Sequence, residues 1–586
     1  MTVATFAGID QPTDARHPLG SRAKVLLCSV FGPYAQDDEY GSRLINPMEL
    51  WHNQVTRVQG PFSLRMFHRS WGMMLIQANI KAPCTMLDFP KLDRFVEEIS
   101  TNHYDIIGIG SILPNLQKVK LMCSLIREHL PNAIIVIGGH IAGLEDLSSH
   151  IDADHIVRGD GIRWFREFLG QDINEPVLHP QIFAGIDRHA MGMDLPFNPR
   201  TASASLIPSV GCPIGCNFCA TSAMFGGKGK SVVFYSSGEE LFAIMSQLED
   251  TMKIKSFFVM DENFLLNKPR AMQLLAQMQK HNKAWGLYVF SSANALKQYT
   301  MEELVALGVS WLWMGLEGKN SQYGKLNRTD THQFVAELQE HGIRVLGSSI
   351  IGLEDHTPQN IDAAIAHAVS HNTDFHQFML YTPVAGTPLY AHHQADGTLL
   401  GQDEISFEDT HGQWRFNFRH PHIKDGRETE FLLRAFNEDF RINGPSVLRV
   451  VETTLKGYRR YHNHPDARIR DRFAWEAEGM ASIFPGALWA AIRYFKDSPA
   501  LVTRLTKLLA EVKKEFGWPA RLSAPLVGRI ILHKLRKEAA KLAAGWTIEP
   551  PTYYERNYND GTTPTVKTVP GLSGAKAHAV AATATR

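Results

Sequence analysis

Three cysteines, Cys212, Cys216 and Cys219, lie in the run GCPIGCNFC, a C-x3-C-x2-C spacing with Phe218 just before the last cysteine. Thiolates are the usual ligands of iron–sulfur clusters, and four of them close a 4Fe–4S cube as an electron carrier. Three leave one iron without a protein ligand, so a small molecule can bind that iron and be reduced there. Two plainer readings stand beside this one. A structural zinc site wants four ligands, often in paired C-x2-C halves, and the other cysteines, Cys28, Cys84 and Cys123, are distant and each alone in an apolar segment. The three could also be buried thiols with no metal at all.

The elements that must hold this loop are legible around it. SASLIPSV (203–210) runs into the cysteines; SFFVMDENF (256–264), GLYVFSSA (286–293), VSWLWMGLEG (309–318), IRVLGSSIIGLED (343–355) and FHQFMLYTPVAGTPLY (375–390) follow. Helix-length stretches such as EELFAIMSQLED and PRAMQLLAQMQKH separate them. Short apolar strands alternating with helices predict a parallel β/α architecture. Ligands of such barrels meet the carboxyl ends of strands, where Asp261, Glu262, Glu317 and Glu354 fall. One such acid is an ordinary loop carboxylate as readily as a ligand; acids at successive strand ends favour function. Gly347 and Gly352 lie in the fifth strand's stretch, where backbone without a side chain can approach a ring.

A second strand–helix series lies upstream, from KVLLCSVF (24–31) through YDIIGIGSILPNLQKVKLMCSLIREHLPNAIIVIGGHIAG to ADHIVRGDGIRWFREFL. Each short strand leads into small residues and then a helix, the pattern of a doubly wound, flavodoxin-like sheet whose ligands sit beyond the strand ends. Ser111-Ile112-Leu113, Gly138-Gly139-His140 and Gly159-Asp160-Gly161 are the loops so placed. A Gly-Gly pair alone is usually only a turn.

The cysteine motif and the strands after it resemble the radical S-adenosylmethionine (SAM) enzymes, and the upstream series resembles the cobalamin-binding domain fused to many of them. The resemblance implies a partial, TIM-like (β/α) barrel and a 4Fe–4S cluster on Cys212, Cys216 and Cys219. It implies SAM contacts at Glu317, Gly347, Gly352 and Glu354, and cobalamin contacts at Ser111, Leu113, Gly138, Gly139, Gly159 and Gly161. Two departures stand out. No D-x-H-x-x-G follows the first strand, where the chain reads FGPYAQDDEYG, so no histidine there ligates cobalt from below; Phe31 to Tyr34 lie nearest that face. The segment ATSAMFGGKGK after Cys219 also departs from the commoner spacings.

What the resemblance implies chemically is reductive cleavage of SAM to a 5′-deoxyadenosyl radical, hydrogen abstraction from an sp3 carbon, and transfer of a methyl group from methylcobalamin. A second SAM then restores the methyl group, and a reducing protein such as flavodoxin or ferredoxin supplies electrons. A non-methylating rearrangement, cyclisation or C–C coupling is the first rival, and a non-enzymatic cobalamin-binding sensor the second. The substrate is open between a lipid such as a hopanoid, a natural-product intermediate and a tetrapyrrole.

Bulk properties agree. A chain of 586 residues exceeds one core. Its 60 basic and 60 acidic residues create no global field for nucleic acid. The N-terminal residues lack the apolar core of a signal peptide, no apolar run reaches the roughly 20 residues that span a bilayer, and a reducing cytoplasm suits free thiols. The expected organisation is a flexible 1–20, a cobalamin-binding-like domain over 21–175, a linker over 176–200, the radical SAM domain over 201–400, a mainly helical region over 401–546 and a disordered tail over 547–586. Residues 500–545 interleave Arg504, Lys507, Lys513, Lys514, Arg521, Arg529, Lys534, Arg536, Lys537 and Lys541 with apolar residues such as Leu505, Leu508, Ile530, Ile531 and Leu535. Such a stretch is either a solvated helical cap or a peripheral contact with an anionic membrane. The cluster THGQWRFNFRHPHI (410–423) is read as a pocket lining or as packing.

Overall fold

The computed structural model describes residues 16–32, 40, 49–195, 197–316, 330–549 and 552–557. Glu317, and Pro33 and Tyr34 of the first loop, lie outside the described residues.

The N-terminal sheet holds parallel strands in the spatial order Cys84–Asp88, Val25–Cys28, Ile106–Gly110, Ile134–Gly138 and His155–Ile156. In register, Val25 stands opposite Cys84 on one side and Ile106 on the other, and Ile106 opposite Ile134. Counted in chain order this is 2-1-3-4-5, the doubly wound order of flavodoxin-like sheets. The two-residue period of a strand divides its side chains between two cores. Leu26, Cys28, Ile107, Ile109, Ile135 and Ile137 pack with helices Leu92–Thr101 and Leu116–His129. Val25, Leu27, Ile106 and Val136 pack with helices Trp71–Asn79 and Gly161–Phe168. With both faces covered, the strands read as unbroken apolar runs. Cys28, Cys84 and Cys123 are buried in these cores and burial pushes their thiols upward, so they pack rather than ligate.

Tyr553–Asn557 adds an antiparallel edge strand to Cys84–Asp88, a difference from the irregular tail expected over 547–586. The Tyr553 hydroxyl donates to Asp187 at 2.8 Å and the Arg69 guanidinium covers its ring. Composition reports the Thr-, Ala- and Gly-rich residues further on, not an edge waiting more than 450 residues upstream in sequence, as the 463-residue separation of the Thr552–Phe89 hydrogen bond illustrates.

The second sheet runs Phe375–Leu380, Arg344–Ile351, Val309–Gly315, Gly286–Phe290, Ser256–Val259 and Ser203–Leu206, each parallel to the next, with Phe183–Ala184 antiparallel at the Ser203 edge. Six sequential parallel strands without closure are the expected partial barrel. Its outer face packs Ala204, Leu206, Phe257, Val259, Leu287, Leu312 and Met314 against the helices. Its inner face carries half-buried Phe258, Phe290, Trp311 and Trp313.

The C-terminal region is helical: Arg427–Asn443, Ser446–Tyr461, Ala467–Glu476, Ile483–Tyr494, Pro499–Glu515 and Gly517–Ala543. It is keyed to the barrel by buried charge. Glu476 accepts from Arg344 at 2.7 Å and from the Ser310 hydroxyl at 2.7 Å, with Arg472 at 3.5 Å. Removing one member strands the others in low dielectric. Glu476→Ala is expected to destabilise the protein by about 3–5 kcal/mol, read as a lower urea midpoint; a midpoint within error of the parent would show that these guanidiniums are hydrated instead.

Candidate active site at the cysteine loop

The first barrel strand ends at Leu206, and a neck follows in which Ser209–Val210 pairs antiparallel with Val232–Val233. The neck closes a loop that carries the three cysteines and needs glycine twice. A Cβ on Gly211 would meet the Phe225 Cβ at 2.6 Å, and one on Gly215 the Lys228 Cα at 2.5 Å, and both have positive φ. Turns then fold the cysteines inward. Gly215 N–H donates to the Cys212 carbonyl and Cys219 N–H to the Cys216 carbonyl. Ser222 ties the ends together, its hydroxyl donating to the Cys212 carbonyl at 2.6 Å and its N–H to Cys219 Sγ at 3.5 Å.

All three thiols are half-buried, so each can face a bound group. They do not converge on one point. Among the described residues, a single trio of His, Cys, Asp or Glu side chains brings its ligand atoms within 4.8 Å of one another, and it is not this one. One zinc ion would hold its sulfurs under 4 Å apart, given Zn–S bonds of about 2.3 Å in a tetrahedron. Three thiols spread more widely fit a cluster, whose irons are separate atoms. Burial pushes the Cys212 thiol up, as do the charges of Cys219, Cys216 and Glu262, while the Ile214 backbone N–H opposes. Metal binding reverses that balance, because a coordinated thiol is deprotonated.

The acids at the second strand end have separate fates. Asp261 is a structural ion: it pairs with Arg270 at 2.5 Å and accepts from the Ser209 hydroxyl and the Asn263 N–H. Glu262 faces the loop. Burial pushes it up to about 7, against the pull of N–H donors including that of Gly211, and its Oε2 is buried with no hydrogen-bond partner. A buried orphan oxygen near Cys212 is an acceptor awaiting a donor.

The other expected SAM residues have protein neighbours of their own. Glu354 is 48 % exposed and faces His393 at 3.6 Å. Gly347 points to the helix side: a Cβ there would strike Leu316 at 2.5 Å and approach Thr373 and His376. Gly352, with φ of +78°, makes room for the Phe416 ring at 2.3 Å. Both glycines are thus explained by protein neighbours.

The N-terminal loops meet this site. Gly139 adopts φ +83° and a Cβ there would lie 2.4 Å from the Ser111 carbonyl oxygen, so the two candidate loops abut. Leu113 is buried against Ala385 of the barrel loops. Gly159 has positive φ, and Gly161 opens a helix capped by Asp160 and lies against Ile76. His140 Nε2 is 3.3 Å from the Thr221 hydroxyl, two residues past Cys219. A cleft of about 730 Å³ lies here, lined by Gly143–Asp146 of the N-terminal sheet, Cys216 and Lys228 of the loop, and Thr387 and Tyr390 beyond the last strand. Phe31 of the first loop is buried and its carbonyl accepts from Lys118, so the described part of that loop offers no imidazole.

One group escaped the sequence reading. Residues 49–71 cross to the barrel's inner face. His68 stacks on Phe258 at 6.1 Å, and Trp51 lies 6.2 Å from Trp313. Trp51 donates to His68 Nε2 at 2.9 Å, so the proton sits on Nδ1, which is buried without a partner, as is Trp71 Nε1. The THGQWRFNFRHPHI cluster, by contrast, packs: Phe416, Phe418 and His420 are buried against the helix Ile361–Ser370 and its neighbours.

Residues 206–368 match the family model of the radical SAM superfamily. An uncharacterised methyltransferase of Pyrococcus horikoshii is 25% identical over 331 residues, covering 50% of this chain and 71% of the relative. The bacteriochlorophyllide d C-12(1)-methyltransferase of Chlorobaculum tepidum is 28% identical over 52% of this chain and 69% of its own. The hopanoid C-2 methylase of Rhodopseudomonas palustris is 21% identical over 57% and 63%. The solved radical SAM methyltransferase TsrM of Kitasatospora setae, with cobalamin and a [4Fe-4S] cluster bound, aligns over 78% of this chain and 99% of its own at 15% identity and TM-score 0.47.

Glu262 generates a pH prediction. It loses its proton near 4.5 when unfolded but near 7 when folded. Between those values the native state binds the extra proton, so this group's contribution to stability falls as pH rises from 4.5 to 7. Glu262→Gln is expected to stabilise the metal-free protein at pH 8 by on the order of 1–3 kcal/mol and to give no gain near pH 4. Identical melting at pH 8 would mean that the carboxylate is solvated.

Proposed function

We propose that this chain, which carries a radical SAM domain over residues 206–368, is a cobalamin-dependent methyltransferase acting on an unactivated carbon of an apolar small molecule or lipid. The observation that carries the reading is the junction of half-buried thiols, an orphan carboxylate and a cleft shared with a doubly wound domain. The relatives named as methyltransferases support methyl transfer as the reaction class. When bound, the cluster supplies the electron that cleaves SAM and cobalamin carries the methyl group.

The chain's own residues bind, orient and exclude water. Cys212, Cys216 and Cys219 hold the cluster from a neck that fixes their spacing. Glu262, ionised above about pH 7, is placed to accept from a cationic amino group at the loop. Ser111, Leu113, Gly138 and Gly139 present the cobalamin-binding edge, with Gly159 and Gly161 beside it. Aromatic rings on the barrel's inner face suit an apolar substrate, and the N–H groups of His68 and Trp71 suit an oxygen on it. A small reducing protein of the flavodoxin or ferredoxin type supplies electrons.

A membrane surface is the source of substrate that the C-terminal helices support. No helix of the described residues is long and apolar enough to cross a membrane. Yet on Gly517–Ala543, Trp518, Leu522, Leu526 and Ile530 are exposed by 74, 53, 52 and 61 %. They recur every four residues, on one face, and exposed Arg521, Arg529, Lys534, Arg536 and Lys537 accompany them. That is the composition of a helix lying in an anionic interface. Leu505, Leu508 and Leu509 of Pro499–Glu515 are instead core.

Anaerobically reconstituted protein is expected to hold iron and sulfide and to form both 5′-deoxyadenosine and S-adenosylhomocysteine from SAM. Cys212→Ala should abolish cleavage. A sample that binds zinc alone, or a Cys212→Ala variant that still cleaves SAM, would sink the assignment; deoxyadenosine with an unmethylated product would favour the non-methylating class. In sedimentation with phosphatidylglycerol vesicles, Leu522→Ser with Leu526→Ser is expected to weaken binding at least tenfold, and binding unchanged from the parent would remove the membrane role.

A further inference from the structure

The trio whose ligand atoms do lie within 4.8 Å of one another is His332, His367 and His371. His367 and His371 are four residues apart, one helical turn, at the end of helix Ile361–Ser370. His332 comes from the first turn of the neighbouring helix Thr331–Glu340. The rings of His332 and His371 stack at 3.7 Å and 13°, and His367 meets them edge-on at 4.7 and 5.0 Å. None of the three belongs to the cysteine loop or its cleft.

Hydrogen bonds fix where the protons are. His371 Nδ1 lies 2.9 Å from the His367 carbonyl and 3.2 Å from that of Ala368. Both are acceptors, so Nδ1 carries hydrogen and Nε2 bears the lone pair. A ring N–H donated to a backbone carbonyl is the outer support that orients metal-bound histidines. The lone pair now accepts from the Thr331 hydroxyl at 2.7 Å, a contact that a metal would replace. Ser370 Oγ donates to the His367 carbonyl at 2.8 Å and therefore accepts from His332 Nε2 at 2.7 Å. That leaves a lone pair on His332 Nδ1. Burial, and then the neighbouring imidazoles, hold His371 far below the usual histidine range, at about 3, so it stays neutral.

We propose that His332, His367 and His371 form a zinc site that ties these two outer helices of the barrel together. Zinc takes neutral imidazole nitrogens at about 2.0–2.1 Å, which places them about 3.4 Å apart in a tetrahedron. Binding requires the stacked His332 and His371 rings to rotate so that their in-plane lone pairs converge on the ion, and the partial exposure of His332 and His367 gives it an entry path. Three imidazoles without thiolate or paired carboxylates suit zinc over calcium or magnesium.

The test uses the full-length, tag-free protein with its iron–sulfur cluster loaded, so that zinc has no cysteine loop to enter. Zinc is titrated against a chromophoric chelator, with iron counted in the same sample. The parent is expected to bind one zinc per chain with Kd below about 1 µM, and to melt several degrees higher with zinc than without. His332→Ala and His367→Ala should each weaken zinc at least tenfold and lose the shift while iron content stays the same. These two partly exposed positions are the primary variants, because His371→Ala can fail to fold. Equal zinc affinity in parent and both variants, or zinc that displaces iron, overturns the proposal; loss of SAM cleavage bears on the cysteine loop and leaves this readout intact.

Discussion

Thiolates repel each other, and burial penalises each of them again; the catalytic end of this chain depends on the metal ions that relieve both. Cys212 shows the conflict directly, its thiol raised by burial and then by Cys219, Cys216 and Glu262. The loop is nevertheless held in shape by its neck, by two glycines whose neighbours forbid a Cβ, and by Ser222 bridging Cys212 to Cys219. Rigid backbone around mutually unfavourable side chains is the form a ligand set takes when its spacing matters more than its intrinsic stability. Glu262 is under the same constraint: burial raises this acid to about 7, and an arriving cation or donor would favour its ionised form.

The two sheets reach this point by one rule, since parallel strands deliver their loops to a single edge. Here two such edges face each other. The contact is backbone on backbone: a Cβ on Gly143 would lie 2.7 Å from the Ala385 oxygen, and one on Gly386 2.9 Å from the Gly143 oxygen. A side chain at either place would push the domains apart and widen the cleft that Cys216 lines.

Much of this was legible in the sequence because it is local. The cysteine spacing, the apolar strands and the small residues after each strand are written in consecutive letters, and both sheets follow from them. What could not be read depends on direction or distance. Gly347 sits in an expected strand, but the period of two turns it toward Leu316 and the helices. Asp261 and Glu262 are adjacent acids, and only Arg270 pairing with the first distinguishes them. Trp51, His68 and Trp71 join the barrel's inner wall from a segment far upstream of its strands: Trp51 packs on Phe375, and His68 and Trp71 on Phe258, contacts that close only in space. Tyr553–Asn557 pairs across the whole chain.

The helix Gly517–Ala543 inverts the usual arrangement of an amphipathic helix. Its inward face is built from Ala520, Ala524 and Gly528 with Ile531 and Leu535, and its outward face from Trp518, Leu522, Leu526 and Ile530. The small residues are explained by close packing, since a Cβ on Gly528 would strike Trp489 and one on Gly486 would strike Val527. The large ones gain little from the fold, being 52–74 % exposed. Each forgoes roughly half or more of the about 1.5–3 kcal/mol that full burial would give. A chain under no other demand would place polar residues there. Large apolar side chains in a line with arginine and lysine beside them are the feature on which the proposed membrane contact rests.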